Sequence, residues 1–328
     1  MRQTIIEMLR STGDKFLSGE EIALKLGISR AAVWKHIQKL KSSGYAITSR
    51  ERCGYKFKDA PDLLLANEVK DGLNTQVIGK QIYYYPSTES TNGEAKVLAY
   101  RNAPDGTVTV AEEQTGGRGR LNRHFYSPRG KGIWFSMVLR PNLVPSDAPK
   151  CTLMAAVAIA RAMKRFGLRA QIKWPNDLMY DGRKMVGILT ELSAEMSRIT
   201  YIVLGVGINV NITREEFPPE LRDIATSLSE MSGQNVSRIK FFRAVLEEFD
   251  KLYVEILSDP KRGFVRVLDE WREFNVTLNK KVRVITSVSG EYFQGIARDI
   301  DADGALLVET KNGFERVFAG DVSIREDN

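Results

Sequence analysis

The chain is poor in the side chains that build covalent or metal-held scaffolds. It has two cysteines, Cys53 and Cys151, and two histidines, His36 and His124, in 328 residues. The cysteines lie far apart and outside any CxxC or Cys/His spacing. That excludes a disulfide framework and a structural zinc site and leaves both as small structural residues. Two histidines are too few for a mechanism built on imidazole-bound metal, although a magnesium site made of carboxylates alone leaves no trace at this level. Long apolar runs are missing too, since none approaches the roughly 18 residues that span a bilayer. The opening MRQTIIEMLRSTGDK has neither the apolar core nor the small-residue cleavage site of a secretory signal. The expectation is a cytoplasmic protein with no membrane partner.

What is present is the composition of a globular protein, 43% hydrophobic and 27% charged, in a chain long enough for two or three domains. The net charge of +7 is unevenly spread: residues 1–60 hold 12 Lys/Arg against 6 Asp/Glu, leaving 36 against 35 for residues 61–328. A small basic segment before a nearly neutral body is the electrostatic footprint of a nucleic-acid binder, and equally of a solvated basic face.

Residues 17–44, LSGEEIALKLGISRAAVWKHIQKLKSSG, decide between these. Ser18 and Glu21 have capping-box spacing and Leu17 with Ile22 that of a hydrophobic staple, so a helix starts at Ser18. Gly27 supplies a left-handed stop and Ser29 caps a second helix two residues on, which predicts a helix-turn-helix. Val33, Ile37 and Leu40 follow helical spacing into the core. Ser29, Arg30, Ala31, Trp34, Lys35 and Gln38 then form the DNA-facing side. YAITSRERCGYKF alternates around a Cys53-Gly54 turn and offers Arg50 and Arg52 as a basic wing. The alternative is a helical pair used only for packing or dimerisation, but cap, turn, wing and charge together favour DNA. Neutral charge returns near Pro61, where the domain boundary is placed.

From about residue 62 to 272, strand-like and helix-like stretches alternate, predicting a mixed sheet with packed helices. Asp181-Gly182 carries a two-residue hairpin signal. STESTNGEAK puts Ser90, Thr91 and Asn92 at a helix start, either a plain N-cap or a seat for a polar head group. Lys173 ends a strand before Trp174-Pro175, which forbids continuation of the ladder. In LGVGINV, Gly205 and Gly207 weaken an apolar strand unless another backbone or a ligand must come close, and Asn209 follows as a polar candidate. The stretch EEQTGGRGRLNR is neither GxxxxGK[ST] nor GxGxxG at a strand-to-helix turn. Its glycines give conformational freedom and its arginines fork-shaped cationic donors, so it reads either as a lid over anions or as a solvated loop.

Taken in order, STN at 90–92, QTGGRGR at 114–120, KWPND at 173–177, GIL at 187–189 and GVGIN at 205–209 resemble the biotin protein ligases. The N-terminal helix-turn-helix makes the bifunctional ligase and biotin operon repressor type the nearest match, over all 328 residues. That resemblance implies an α+β multidomain fold. Residues 1–62 would be a winged helix-turn-helix, 63–273 a central mixed α/β domain of the class II synthetase-like type, and 274–328 an SH3-like β barrel. The barrel agrees with the alternating strands and the turns SGE, DADG and KNG seen there.

The resemblance also implies roles. Ser90, Thr91, Asn92 and Gln114 would meet the biotin head group, with Gly205 close by. Arg118, Gly119 and Arg120 would wrap the carboxylate and adenylate phosphate, and Lys173 would stand at the reacting carboxylate. Gly187, Ile188 and Leu189 would line the biotin tail. Asn176 and Asn209 would shape the ATP side, Asp177 the metal side. Arg123 is in register with an arginine used near phosphates. Phe125 stands where a known family member has tryptophan on the adenine, and its ring can still offer a face. Lys173, Arg118 and Arg120 would be catalytic; biotin, ATP and Mg²⁺ would be required. The partners would be a biotin carboxyl carrier domain of acetyl-CoA carboxylase and related carboxylases, operator DNA of biotin synthesis genes, and a second copy of the chain. A biotin-sensing transcription factor without catalysis, a ligase whose N-terminal domain has lost its operator, and a lipoate ligase-like enzyme are the alternatives.

Overall fold

The computed structural model describes residues 1–195, 198–286, 292–319 and 322–326, in two compact units, Met1–Leu63 and Leu64–Asn328. The first holds α1 (Arg2–Ser11), α2 (Gly19–Leu26), α3 (Arg30–Ser42) and the antiparallel pair β1 (Ala46–Arg50) and β2 (Gly54–Asp59). The capping box forms as expected: Glu21 N–H donates to Ser18 Oγ at 3.0 Å and Ser18 N–H to Glu21 Oε2 at 3.2 Å. Gly27 ends α2 at φ +65 and Ser29 caps α3. Ile5, Ile6, Leu9, Ile22, Val33, Ile37 and Leu40 are buried, which fixes α3 with its polar side outward.

The second unit opens with α4 (Ala66–Lys70), β3 (Ile82–Tyr85), α5 (Thr91–Tyr100), β4 (Thr107–Ala111) and β5 (Gly132–Leu139). Then come α6 (Ala148–Arg165), β6 (Gln171–Lys173), β7 (Asp177–Tyr180), β8 (Arg183–Glu195) and β9 (Arg198–Asn209). The strands form a seven-stranded mixed sheet in the order β3-β4-β5-β9-β8-β7-β6, parallel at β3/β4 and antiparallel elsewhere. Asp181 and Gly182 take left-handed φ of 48 and 72 and close β7 onto β8, as an Asp-Gly hairpin requires.

The short α7 (Leu228–Ser232) precedes the long α8 (Arg238–Ser258) and α9 (Pro260–Phe274). α6, α8 and α9 pack together, and α6 is apolar enough that Cys151 to Ala160 are all buried. Finally β10 (Lys281–Thr286), β11 (Tyr292–Ile300), β12 (Leu306–Thr310), β13 (Gly313–Val317) and β14 (Val322–Glu326) make an antiparallel sheet ordered β13-β12-β11-β10-β14. β13 and β14 end that order, so the described pairing leaves the small sheet open where a closed ring was expected. The SGE turn lies outside the described residues. Val282, Ala297, Leu306 and Val308 share one hydrophobic core with Phe241 and Trp271, so this sheet is packed on the larger layer rather than hung from it.

Candidate ligand cleft

One face of the mixed sheet opens into a cleft of about 460 Å³, lined by α5, the 114–126 loop, the ends of β6 to β9 and the segment after β9. Every central site residue expected from sequence lies on its lining: Ser90, Thr91, Asn92, Gln114, Arg118, Gly119, Arg120, Arg123, Phe125, Lys173, Asn176, Asp177, Gly187, Ile188, Leu189, Gly205 and Asn209.

At one end sits a polar base. Ser90 is the N-cap residue of α5 but makes no side-chain capping bond, so its hydroxyl is not spent on the helix. Thr91 donates from both N–H and hydroxyl to Gln114 Oε1, at 2.9 and 3.0 Å. Gln114 Nε2 donates in turn to Ser127 Oγ at 3.1 Å. Ser136 Oγ lies 2.8 Å from Thr91 Oγ1 and 2.6 Å from Asn92 Oδ1.

Four cations also line the cleft. Arg118 is exposed and ion-paired to Glu89 at 3.0 Å. Arg120 donates to Asn176 Oδ1 at 3.2 Å and to the Ala319 carbonyl of the small sheet. The ammonium of Lys173 makes no hydrogen bond or ion pair among the described residues. Lys184 was missed by the sequence reading: it lines the cleft, pairs with Asp177 at 2.6 Å and lies 5.8 Å from the Phe125 ring centroid. Its signal was its place two residues past the Asp-Gly turn; in the β7/β8 register it stands opposite Met179, and only that register brings its ammonium back to Asp177.

Several residues do more for the protein than for a ligand. Asn176 is buried, donates to Ile188 O at 2.8 Å and receives Arg120, so it orients the arginine. Asn209 donates to Thr226 O at 3.0 Å and ties β9 to the segment that walls the cleft. Ile188 is packed into the main core. Beside that wall, the Lys131 ammonium, 2.5 Å from Glu216 Oε1, holds the Glu216 carboxyl below the ordinary carboxylate range.

The glycines are corrected in detail. Gly116 and Gly117 have no left-handed φ; a Cβ there would come within 2.7 Å of Glu89 Cγ and 2.6 Å of Phe125 O. They permit close approach, and the loop turns instead at Leu121 and Asn122, with φ of 56 and 54. Gly205 and Gly207 clear space for side chains already present, since a Cβ would collide with Asn92 Oδ1 or the Phe125 ring respectively.

In the first unit Ser29, Arg30, Ala31, Trp34, Lys35, Gln38, Arg50 and Arg52 are all exposed, with Trp34 at 54%.

Residues 84–209 match the model of the biotin/lipoate A/B protein ligase family, residues 1–56 that of an HTH domain, and residues 277–325 that of the biotin protein ligase C terminal domain. Fold and cleft therefore define a biotin/lipoate-type ligase joined to a helix-turn-helix. The chain is 39% identical over 325 residues to the bifunctional ligase/repressor BirA of Bacillus spizizenii, covering 99% of this chain and 98% of that one. Against the protein of the same name from Escherichia coli the identity is 31% over 326 residues, with 95% and 94% covered. The biotin protein ligase from Aquifex aeolicus, solved in complex with biotin and ATP, matches at a TM-score of 0.64 and 26% identity, over 76% of this chain and all of that one. The chain belongs to the family of bifunctional biotin ligase/repressors.

Proposed function

We propose that the protein activates biotin with ATP, transfers it to a lysine of a biotin carboxyl carrier domain, and represses biotin synthesis genes when the activated biotin is bound. The observation that supports this most directly is the gathering, in one cleft, of a hydrogen-bonding base at Ser90, Thr91 and Gln114 and of four cations, Arg118, Arg120, Lys173 and Lys184. In the first step the biotin carboxylate attacks the α-phosphate of ATP, forming biotinyl-5'-AMP and releasing pyrophosphate. In the second, the acceptor lysine amine attacks the acyl carbon and AMP leaves. Two anions must meet in the first step, so the cations act by position and charge, with no protein nucleophile. Closing the 114–126 loop over the anhydride would keep water from it.

The base suits the cyclic urea, Gly187 and Leu189 the tail, and Phe125 with Arg123 the nucleotide. No group of three or more His, Cys, Asp or Glu among the described residues can hold a metal by itself. A single carboxylate, Asp177, would hold magnesium brought in with the triphosphate, and the ion would supply neutralisation of phosphate charge. With Asp177 so engaged, Lys184, which pairs with it at 2.6 Å, would be available to the phosphates of the ligand.

In the same reading 1–62 is the operator-binding domain, 63–273 the catalytic domain and 274–328 the C-terminal domain. Two copies pair so that two α3 helices meet a two-fold site in operator DNA. No described helix is long and apolar enough to cross a membrane; a carrier-domain substrate and operator DNA support a cytoplasmic location in this reading. Biotin-dependent exchange of pyrophosphate into ATP is the test: its absence in the intact chain overturns the ligase reading and leaves a biotin sensor.

A further inference from the structure

We infer that Glu191 is a positioning residue for the biotin head group, acting through the amide of Asn92; this rests on the ligase reading above. Asn92 is 8% exposed, one residue into the first turn of α5. Its Nδ2 donates to Glu191 Oε2 at 2.8 Å, and its Oδ1 accepts from Ser136 Oγ at 2.6 Å. The other Glu191 oxygen receives Lys96, one turn along the same helix, at 2.6 Å. Glu191 thus reaches from β8 to grip α5 at two points four residues apart.

A side-chain amide has a donor end and an acceptor end, and only its partners decide which faces where. An ionised carboxylate accepts and cannot donate. Glu191 therefore holds the Asn92 NH₂ toward itself and turns the carbonyl to Ser136 and to the space left by the missing side chain of Gly205. Ser136 has one proton, and a carbonyl turned toward it draws that proton to Asn92 Oδ1 at 2.6 Å in competition with Thr91 Oγ1 at 2.8 Å. Thr91 donates its hydroxyl proton to Gln114 Oε1, as it does its N–H, and Gln114 donates from Nε2 to Ser127. One carboxylate outside the head-group base in this way sets the direction of hydrogen bonding through it. A urea, with two N–H donors and one carbonyl, binds a base of fixed polarity and loses affinity to one that flips.

The experiment compares Glu191→Ala, Glu191→Gln and Lys96→Met in the full chain, by steady-state exchange with biotin and ATP varied separately. Glu191→Ala is expected to raise the biotin KM about tenfold while the ATP KM and the rate at saturating biotin stay within about twofold. Glu191→Gln, which keeps an acceptor oxygen, recovers most of the biotin KM. Lys96→Met removes the ion pair but not the Asn92 contact, and leaves the biotin KM unchanged. A wild-type biotin KM in Glu191→Ala overturns the inference while leaving the ligase reading intact. Equal biotin effects in Glu191→Ala and Lys96→Met, or parallel loss of rate and both KM values, also overturn it, because they mark a general packing role. Absence of exchange in the wild-type chain overturns the ligase reading itself.

Discussion

At the scale of single residues, the polar base and the cations of the cleft make separable predictions. Lys173→Ala and Arg118→Ala should each lower biotin-dependent exchange by about 10²-fold or more, the size expected when a group that stabilises developing charge is removed; full retention in either would refute its assignment. Lys184→Ala should do likewise, and its pairing with Asp177 predicts that Asp177→Asn changes the magnesium dependence of the rate. Gly205→Ala drives a methyl into Asn92 Oδ1 and should weaken biotin binding with little change for ATP, read by titration calorimetry. Most of the cleft was legible in sequence because KWPND, GRGR and GVGIN are short stretches whose residues converge from strand ends. Lys184, Glu89, Ser136 and Glu191 were not. Each acts through a partner between 7 and 99 residues away, Lys184 on Asp177 and Glu191 on Asn92 being the extremes, so only strand register and helix placement reveal them.

Elements follow the same logic. The capping box at Ser18 was visible because it needs only four consecutive residues; Ser18→Ala should destabilise the first unit by about 1 kcal/mol in thermal or urea unfolding. The wing was legible as alternation with a Gly turn, but not the reason for Gly54, which has φ +106 and sits against the Leu17 backbone, where Leu17 and Tyr55 bridge. Gly54→Ala should therefore displace the wing and reduce operator affinity while exchange activity persists, measured by gel shift and exchange on one preparation. Beneath the sheet, Glu112 looked in sequence like the acidic start of the basic loop. It is fully buried, accepting Leu64 N–H at 2.7 Å and Arg238 Nη1 at 2.8 Å, and joins β4 to α8. Arg238→Met would leave that carboxylate buried without its cation, at a cost of about 3–5 kcal/mol in urea unfolding. The Lys131 contact that lowers the Glu216 pKa contributes stability above the unfolded carboxylate pKa, and it is lost as pH falls through the folded value.

At the scale of the whole molecule the question is why an operator-binding unit and a ligase share a chain. The charge partition, 12 Lys/Arg against 6 Asp/Glu in residues 1–60 and near balance beyond, puts the net positive charge that favours DNA in the first unit. Any message from cleft to operator must then pass through geometry or assembly. A ligand shifts a monomer–dimer equilibrium only by its differential affinity for the two states, so activated biotin must bind the dimer more tightly than the monomer if it is to act as corepressor. The 114–126 loop turns at two non-glycine residues in left-handed conformations, a backbone arrangement that costs energy and is kept where surroundings enforce it. Its arginines reach Glu89, Asn176 and the small sheet at Ala319. Drawing those arginines onto an adenylate would rearrange contacts on three sides of the cleft at once, enough to change a protein surface. Sedimentation of the intact chain should therefore show tighter dimerisation with biotin plus magnesium ATP than with either alone, by about 10-fold or more, and operator affinity should rise in step. Arg118→Ala should blunt both together. Dimerisation that ignores the ligand pair would leave the enzyme and the DNA-binding unit as neighbours without coupling.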